Sequence, residues 1–270
     1  MPKFTCLLSL AFLLLCACNQ ASLTQEEATT TEPDSLIFTT ISLEDSILLI
    51  DGMTDGPMSR YQIDAKVLAS GPSELQRMVN DSLLAAYGFA GEVPNGDYRA
   101  AYRSLIDTTF AVYRNHDLQP EDVEYPVSFM ETNEFSTEVL INKPGLLVLS
   151  RNFYFFGGGA HGIYGTSYLN FTTQPAKSLS LDDVFTKSDT MTLGPLLMEH
   201  LEDKERLYTD EEPVPPTQNF CLTELGVIFC YPPYEIGPYA AGQIEIFIPH
   251  EVLKERALLR PEIETLVGSL

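Results

Sequence analysis

Residues 138–172 constrain the fold more than any other part of the chain. Glu138-Val139-Leu140-Ile141 runs into Asn142-Lys143-Pro144-Gly145, where Pro followed by Gly suits a type II turn. Residues 146–156 then read as a long strand, Gly157-Gly158-Gly159-Ala160-His161-Gly162 interrupts it, and 163–172 is a further strand. Sequential strands of this kind, set beside long helices, argue for an α+β fold: a mostly antiparallel sheet packed with several helices.

The helices precede this run. Residues 36–43 and 47–50 read as short strands parted by Glu44-Asp45-Ser46, and 61–67 alternates apolar and polar as a half-buried strand does. Ser73-Glu74-Leu75-Gln76 has the form of a capping box and predicts a helix with its apolar stripe on Leu75, Met78, Val79, Leu83, Ala86 and Tyr87. Asp97 suits the cap of a second helix, with Tyr98, Ala101, Tyr102, Leu105, Thr109, Val112 and Tyr113 on one face. Further on, a helix is expected over about 191–207, a hairpin over 218–232, a strand over 243–248, and a last helix from Pro249 to about Leu259.

At the start of the chain, Lys3 precedes an apolar run of about eleven residues, too short to span a membrane but suited to a signal peptide. The run closes on Leu15-Cys16-Ala17-Cys18, which resembles the bacterial lipobox. Residues 1–17 are therefore expected to leave as a signal peptide, with Cys18 the lipid-bearing first residue and the membrane reached through that anchor. Residues 18–35 are polar and read as a flexible tether. Asn19 carries no acidic retention signal, which leans towards the outer membrane within the cell envelope. Two portions follow: 36–125, a strand-helix part, and 126–270, the strand-rich part.

The chain holds 38 acidic against 16 basic residues, a net charge of -22. Such a surface repels nucleic acid and anionic lipid; it either steers a basic protein towards itself or serves only to keep the domain soluble. Cys221 and Cys230 flank the hairpin turn Thr223-Glu224-Leu225-Gly226. Pairing Leu222 with Val227 sets Cys221 opposite Ile228 and Cys230 opposite Asn219, so the thiols share a face diagonally, a poor geometry for a bridge. No Cys or His spacing resembles a metal site, and no cofactor is implied.

Gly157, Gly159 and Gly162 satisfy the letter of a dinucleotide fingerprint, but a strand follows them where a helix is required, so nucleotide binding is rejected. The glycines, Gly158 included, instead predict a turn needing positive φ or close backbone approach. His161 within it reads either as an exposed base, ligand or sensor, or as a turn histidine satisfied by local backbone. A hydrolase centred on His161 with Asp182 or Asp183 would lack an evident nucleophile, and helix-start capping explains both acids equally well. Tyr231, Tyr234 and Tyr239, spaced by Pro232, Pro233 and Pro238, form a rigid aromatic segment. It suits a surface that binds glycan or protein, or a buried corner between strands.

Two stretches carry a resemblance. One is Phe153-Tyr154-Phe155-Phe156 with the glycine loop, Asn170-Phe171 and Leu179-Ser180-Leu181-Asp182-Asp183-Val184-Phe185. The other is Gly226-Val227-Ile228-Phe229 followed by 231–242. Together they resemble the domain of unknown function in the extracytoplasmic part of RsiV, the lysozyme-sensing anti-sigma factor, which also accompanies the catalytic domain of PdaC-type peptidoglycan deacetylases. The resemblance spans roughly 136–260, with 36–125 similar to the partner domain usually found upstream. It implies a binding module with no established catalysis of its own, for a protein, since one member of the family binds lysozyme; with the acidic charge, a basic muramidase is the expected partner. The tyrosine-rich segment 231–239 gives the alternative, a peptidoglycan-binding module in the cell envelope.

Overall fold

A computed structural model describes residues 35–114, 118–209 and 213–268, within one compact unit, Pro33–Leu270. Signal peptide, Cys18 and nearly all of the tether lie outside the described residues. Strands β1 (Phe38–Leu48), β2 (Met58–Leu68), β3 (Glu131–Lys143), β4 (Leu146–Phe156), β5 (Ile163–Thr173) and β6 (Ala176–Ser178) form one sheet in chain order. All neighbours pair antiparallel except β2 and β3, which are parallel. A parallel pair needs a crossover, and helices α1 (Ser73–Ala86) and α2 (Tyr98–Tyr113) supply it. The protein is α+β, as the strand and helix patterns imply. Residues 36–125 supply β1 and β2 of this sheet, and 126–270 supply β3 to β6.

Both crossover helices cover one sheet face. Alternation along β2 buries Tyr61, Ile63 and Ala65 against Leu84, Tyr98, Ala101, Tyr102, Ile106 and Phe110. Farther along, Leu147, Leu149 and Phe171 pack on Leu75, Val79 and Leu83. Asp97 accepts from the Ala100 N–H and caps α2. The capping box expected at Ser73 is not formed: Pro72 holds the cap position, and Gln76 donates back to the Gly71 carbonyl at 2.7 Å. The buried face of α2 is turned towards Ile106 and Phe110, leaving Val112 68% exposed.

A second layer covers one end of the opposite sheet face. Strands β7 (Phe220–Leu222), β8 (Gly226–Tyr231) and β9 (Ile244–Pro249) form an antiparallel sheet. With it pack α3 (Leu181–Val184), α4 (Thr190–His200), α5 (His250–Glu255) and α6 (Pro261–Gly268). Leu146 and Val148 of β4 join Val184, Phe185, Leu197, Phe220, Phe229, Ile246 and Leu253 in its core. The hairpin register is the expected one, with Leu222 opposite Val227 and Cys221 opposite Ile228. Cys221 and Cys230 are free, buried thiols.

Three further expectations are corrected. β1 runs unbroken through Glu44-Asp45-Ser46, which pair with Gln62, Tyr61 and Arg60. Backbone pairing there is indifferent to side-chain polarity at a sheet edge, and Asp45 meets Arg103 of α2 at 2.5 Å. α4 ends at His200, because Leu201 turns extended and buries itself. The helix expected from Pro249 to about Leu259 is α5 and stops at Glu255: Ala257 adopts φ 52° and Leu259 bridges to Phe185 before α6 begins. Among the described residues no helix is long and apolar enough to cross a membrane.

Candidate functional site

The second layer leaves part of the sheet face bare. Along β4 the residues on that face change from buried (Leu146, Val148, Ser150) to half-buried (Asn152, Tyr154). Tyr154 pairs with Tyr164 on β5 and with Glu134 on β3, and Glu134 pairs with Gln62 on β2. These side chains stand in one row, because directly opposed strand residues share a face.

Where the row meets the second layer, four aromatic side chains gather. The His161 imidazole stacks on Tyr239, with ring centroids 3.8 Å apart and planes 18° apart. Tyr234 lies beside both, at 5.5 Å from Tyr239 and 6.4 Å from His161. Tyr164 meets Tyr239 edge-on at 6.2 Å. Tyr234 and Tyr164 are 49% and 39% exposed, so the cluster is open to a partner. Partial burial, with the Tyr164, Tyr154 and Tyr234 phenols nearby, raises the Tyr239 hydroxyl pKa above its ordinary value.

The local backbone explains the gathering. Gly158 and Gly159 take φ of 81° and 91°, the left-handed geometry that the glycine run predicts. At Gly158 an added Cβ would lie 2.5 Å from the Ser128 carbonyl oxygen, and at Gly162 it would lie 2.6 Å from the Tyr154 ring. The loop therefore turns flat against its neighbours and delivers His161 to Tyr239. Nδ1 of His161 is 3.1 Å from the Gly162 carbonyl, which assigns the proton to Nδ1; Nε2 then accepts from the Tyr234 hydroxyl at 3.4 Å. His161 is thus a turn residue bonded to local backbone, with its ring exposed.

On the other side, Arg206 clamps residues 241–243. Its guanidinium donates to the Ala241 carbonyl at 2.5 Å and to the Gln243 carbonyl at 2.7 Å. Gln243 in turn accepts from the Thr166 N–H at 2.7 Å and pins the segment to the edge of β5. Tyr234 sits at φ 77°, a strained value for a non-glycine residue, held by its N–H donating to the Gly237 carbonyl at 3.1 Å.

Of the aromatic residues singled out in the sequence, His161, Tyr234 and Tyr239 come together and Tyr231 does not. Tyr231 is fully buried on β8 and donates to the Pro215 carbonyl at 2.8 Å, so it is a core residue. Tyr164, Tyr154 and Arg206 complete the site and went unnoticed. The alternation of 163–172 after the glycine loop carried the signal for Tyr164; nothing local marked Arg206.

His161 is not joined to Asp182 or Asp183. Asp183 accepts from Ser180 and pairs with Lys177 at 2.6 Å, and these contacts, Lys177 foremost, hold its carboxyl below the usual range. Asp182 accepts from the Ser188 hydroxyl. The triad-like arrangement a hydrolase would need is not assembled. Among the described residues, no group of three or more His, Cys, Asp or Glu is placed to hold a metal ion.

Residues 182–251 match the family model described as "Protein of unknown function (DUF3298)". The matched segment supplies Arg206, Tyr234 and Tyr239, while His161 and Tyr164 precede it. The whole fold resembles a solved DUF3298-family member from Bacteroides fragilis, at 27% identity and a TM-score of 0.74, covering 88% of this chain and 98% of that one. A DUF3298-family protein from Pseudomonas aeruginosa shares the fold at 21% identity and a TM-score of 0.55, covering 84% and 96%. No curated protein matches the chain.

Proposed function

We propose that the chain is a cell-envelope lipoprotein, anchored through Cys18 on the 18–35 tether, whose folded part is a non-catalytic module that binds a protein. The observation that carries this reading is the open stack of His161, Tyr239, Tyr234 and Tyr164 on a buttressed loop. Rigid, partly exposed tyrosines lose little entropy on contact and dominate protein interfaces. The net charge of -22 favours a basic partner. The likeness of the sequence to the RsiV extracytoplasmic domain supports a muramidase of the lysozyme type as that partner.

Calorimetric titration of residues 20–270 with lysozyme, at low and at moderate salt, tests the proposal. Heat of binding at low salt, weakened by salt and lost in Tyr234→Ala/Tyr239→Ala, is the expected result. Absence of heat at either salt removes the muramidase.

The same exposed rings favour a second reading, a peptidoglycan-binding module, since aromatic faces also stack on sugars. Sedimentation with purified peptidoglycan separates the two. Pelleting that Tyr234→Ala and Tyr239→Ala abolish would favour the glycan, and a chain left in the supernatant would exclude it.

A further inference from the structure

The bare part of the sheet face is a groove as well as a surface. A cavity of about 890 Å³ is lined by Glu44, Arg60, Gln62, Thr132, Glu134 and Tyr154, among others. A smaller one of about 240 Å³ continues it past Asp64, Ser136 and Asn152, sharing Gln62, Glu134 and Tyr154. Register explains the lining, because Glu44, Gln62, Glu134 and Tyr154 are opposed in turn across β1, β2, β3 and β4. The groove therefore crosses the strands and ends at Tyr154, whose cross-strand partner Tyr164 belongs to the aromatic cluster.

Carboxylates outnumber cations along it, Glu44, Asp64 and Glu134 against Arg60 among the lining side chains, with Asp45 already paired to Arg103. Glu44 and Glu134 are exposed, and neither takes part in any of the ion pairs of the described residues. Asp64 accepts from Gln62 at 3.2 Å, and its carboxyl is held below the usual range by the Ser42 and Gln62 side chains. Against these three carboxylates the same face offers Arg60, whose Nε is turned to the Met58 sulfur at 3.1 Å, and Lys66, which donates to Thr40 at 2.9 Å. Amide and hydroxyl groups fill the rest of the floor.

We infer that this groove seats an extended, lysine- or arginine-rich polypeptide segment, laid across the sheet towards Tyr154. Glu44 and Glu134, which make no ion pair among the described residues, take the cationic side chains, and Gln62, Asn152 and Ser136 are placed to bond a peptide backbone. The inference rests on the reading above only in taking the partner to be a protein. It adds a second contact surface, which adjoins the tyrosine cluster at Tyr154.

Fluorescence anisotropy of labelled octalysine against the full chain in neutral detergent tests it. Binding at low salt is expected to weaken about fivefold in Glu44→Gln/Glu134→Gln, in keeping with exposed charge pairs. It should stay unchanged in Glu74→Gln/Glu262→Gln, which removes the same charge on α1 and α6. Equal loss in both variants would show attraction by net charge alone and overturn the groove, as would no binding at low salt. Displacement of the peptide by chitohexaose would assign the groove to a glycan and likewise overturn the inference. If octalysine binding survives Tyr234→Ala/Tyr239→Ala while lysozyme binding is lost, the groove and the tyrosine cluster act separately. If lysozyme fails to bind the unaltered chain while octalysine still does, only the muramidase reading falls.

Discussion

The ring of His161 lies flat on that of Tyr239, 3.8 Å away, although 77 residues separate them and they belong to different layers of the protein. The stack ties the β4–β5 loop to the segment after β8, and it is worth about 1 kcal/mol if it behaves as other aromatic pairs do. His161→Ala should therefore lower the unfolding free energy by about that amount in urea titration. It should also weaken the tyrosine near-ultraviolet circular dichroism, which is clean here because the chain has no Trp. An unchanged spectrum with unchanged stability would mean that the stack does not persist in solution.

Gly158 and Gly159 make a matched pair for testing why the loop needs glycine. Both have positive φ, so alanine at either position costs about 1 kcal/mol in backbone strain. At Gly159 the new Cβ meets nothing within 4 Å, whereas at Gly158 it lies 2.5 Å from the Ser128 oxygen. Gly158→Ala is thus expected to destabilise clearly more than Gly159→Ala, by about 2 kcal/mol or more once the backbone shifts. The order of the two urea midpoints checks the loop geometry directly, and a reversed order would contradict it.

Much of this architecture was legible locally, and what was not depended on distant contacts. The hairpin register could be read from Thr223-Glu224-Leu225-Gly226, since turn chemistry and the alternation of β8 agree. The unbroken course of β1 could not, because Asp45 is accommodated by Arg103 of α2, 58 residues away. The end of α5 depends on the bridge between Leu259 and Phe185. At the site, composition alone made Tyr231, Tyr234 and Tyr239 equivalent. Strand parity separates them: Tyr231 continues the buried set Val227 and Phe229, and Tyr234 lies past the strand's end. Arg206 was invisible because its role lies in reaching two carbonyls across the chain.

The two thiols give a chemical test of the second layer. Burial, with Glu245 nearby, pushes both Cys221 and Cys230 up to about 12. Thiolate is the reactive form, so at pH 8 almost none is present in the folded protein. Alkylation by iodoacetamide, mapped by mass spectrometry, should spare both residues in the native chain and reach both in urea. Rapid native labelling of either one would show that β7 and β8 open far more readily than their packing implies.

His250 is expected to make the second layer lose stability as pH falls through the histidine range. It is 6% exposed at the start of α5, with Nε2 2.8 Å from the Thr223 carbonyl, so Nε2 carries the proton. Nδ1 then faces no donor or acceptor, and protonating it would bury a cation with one N–H unmet. Burial accordingly lowers its pKa below the ordinary histidine value of about 6.5, with Lys254 adding to the effect and the Thr223 bond opposing it. The sign follows from linkage: between the two values the unfolded chain binds the proton and the folded one does not. The contribution of His250 is therefore complete above about pH 6.5 and is lost as pH falls below that value. The lowered carboxyls of Asp45, Asp64 and Asp183 contribute in the same direction, but only below about pH 4. Urea midpoints between pH 7.5 and 5 should fall in the unaltered chain and flatten in His250→Gln, whose side-chain amide can keep the bond to Thr223. A slope that survives in His250→Gln would place the titrating group elsewhere.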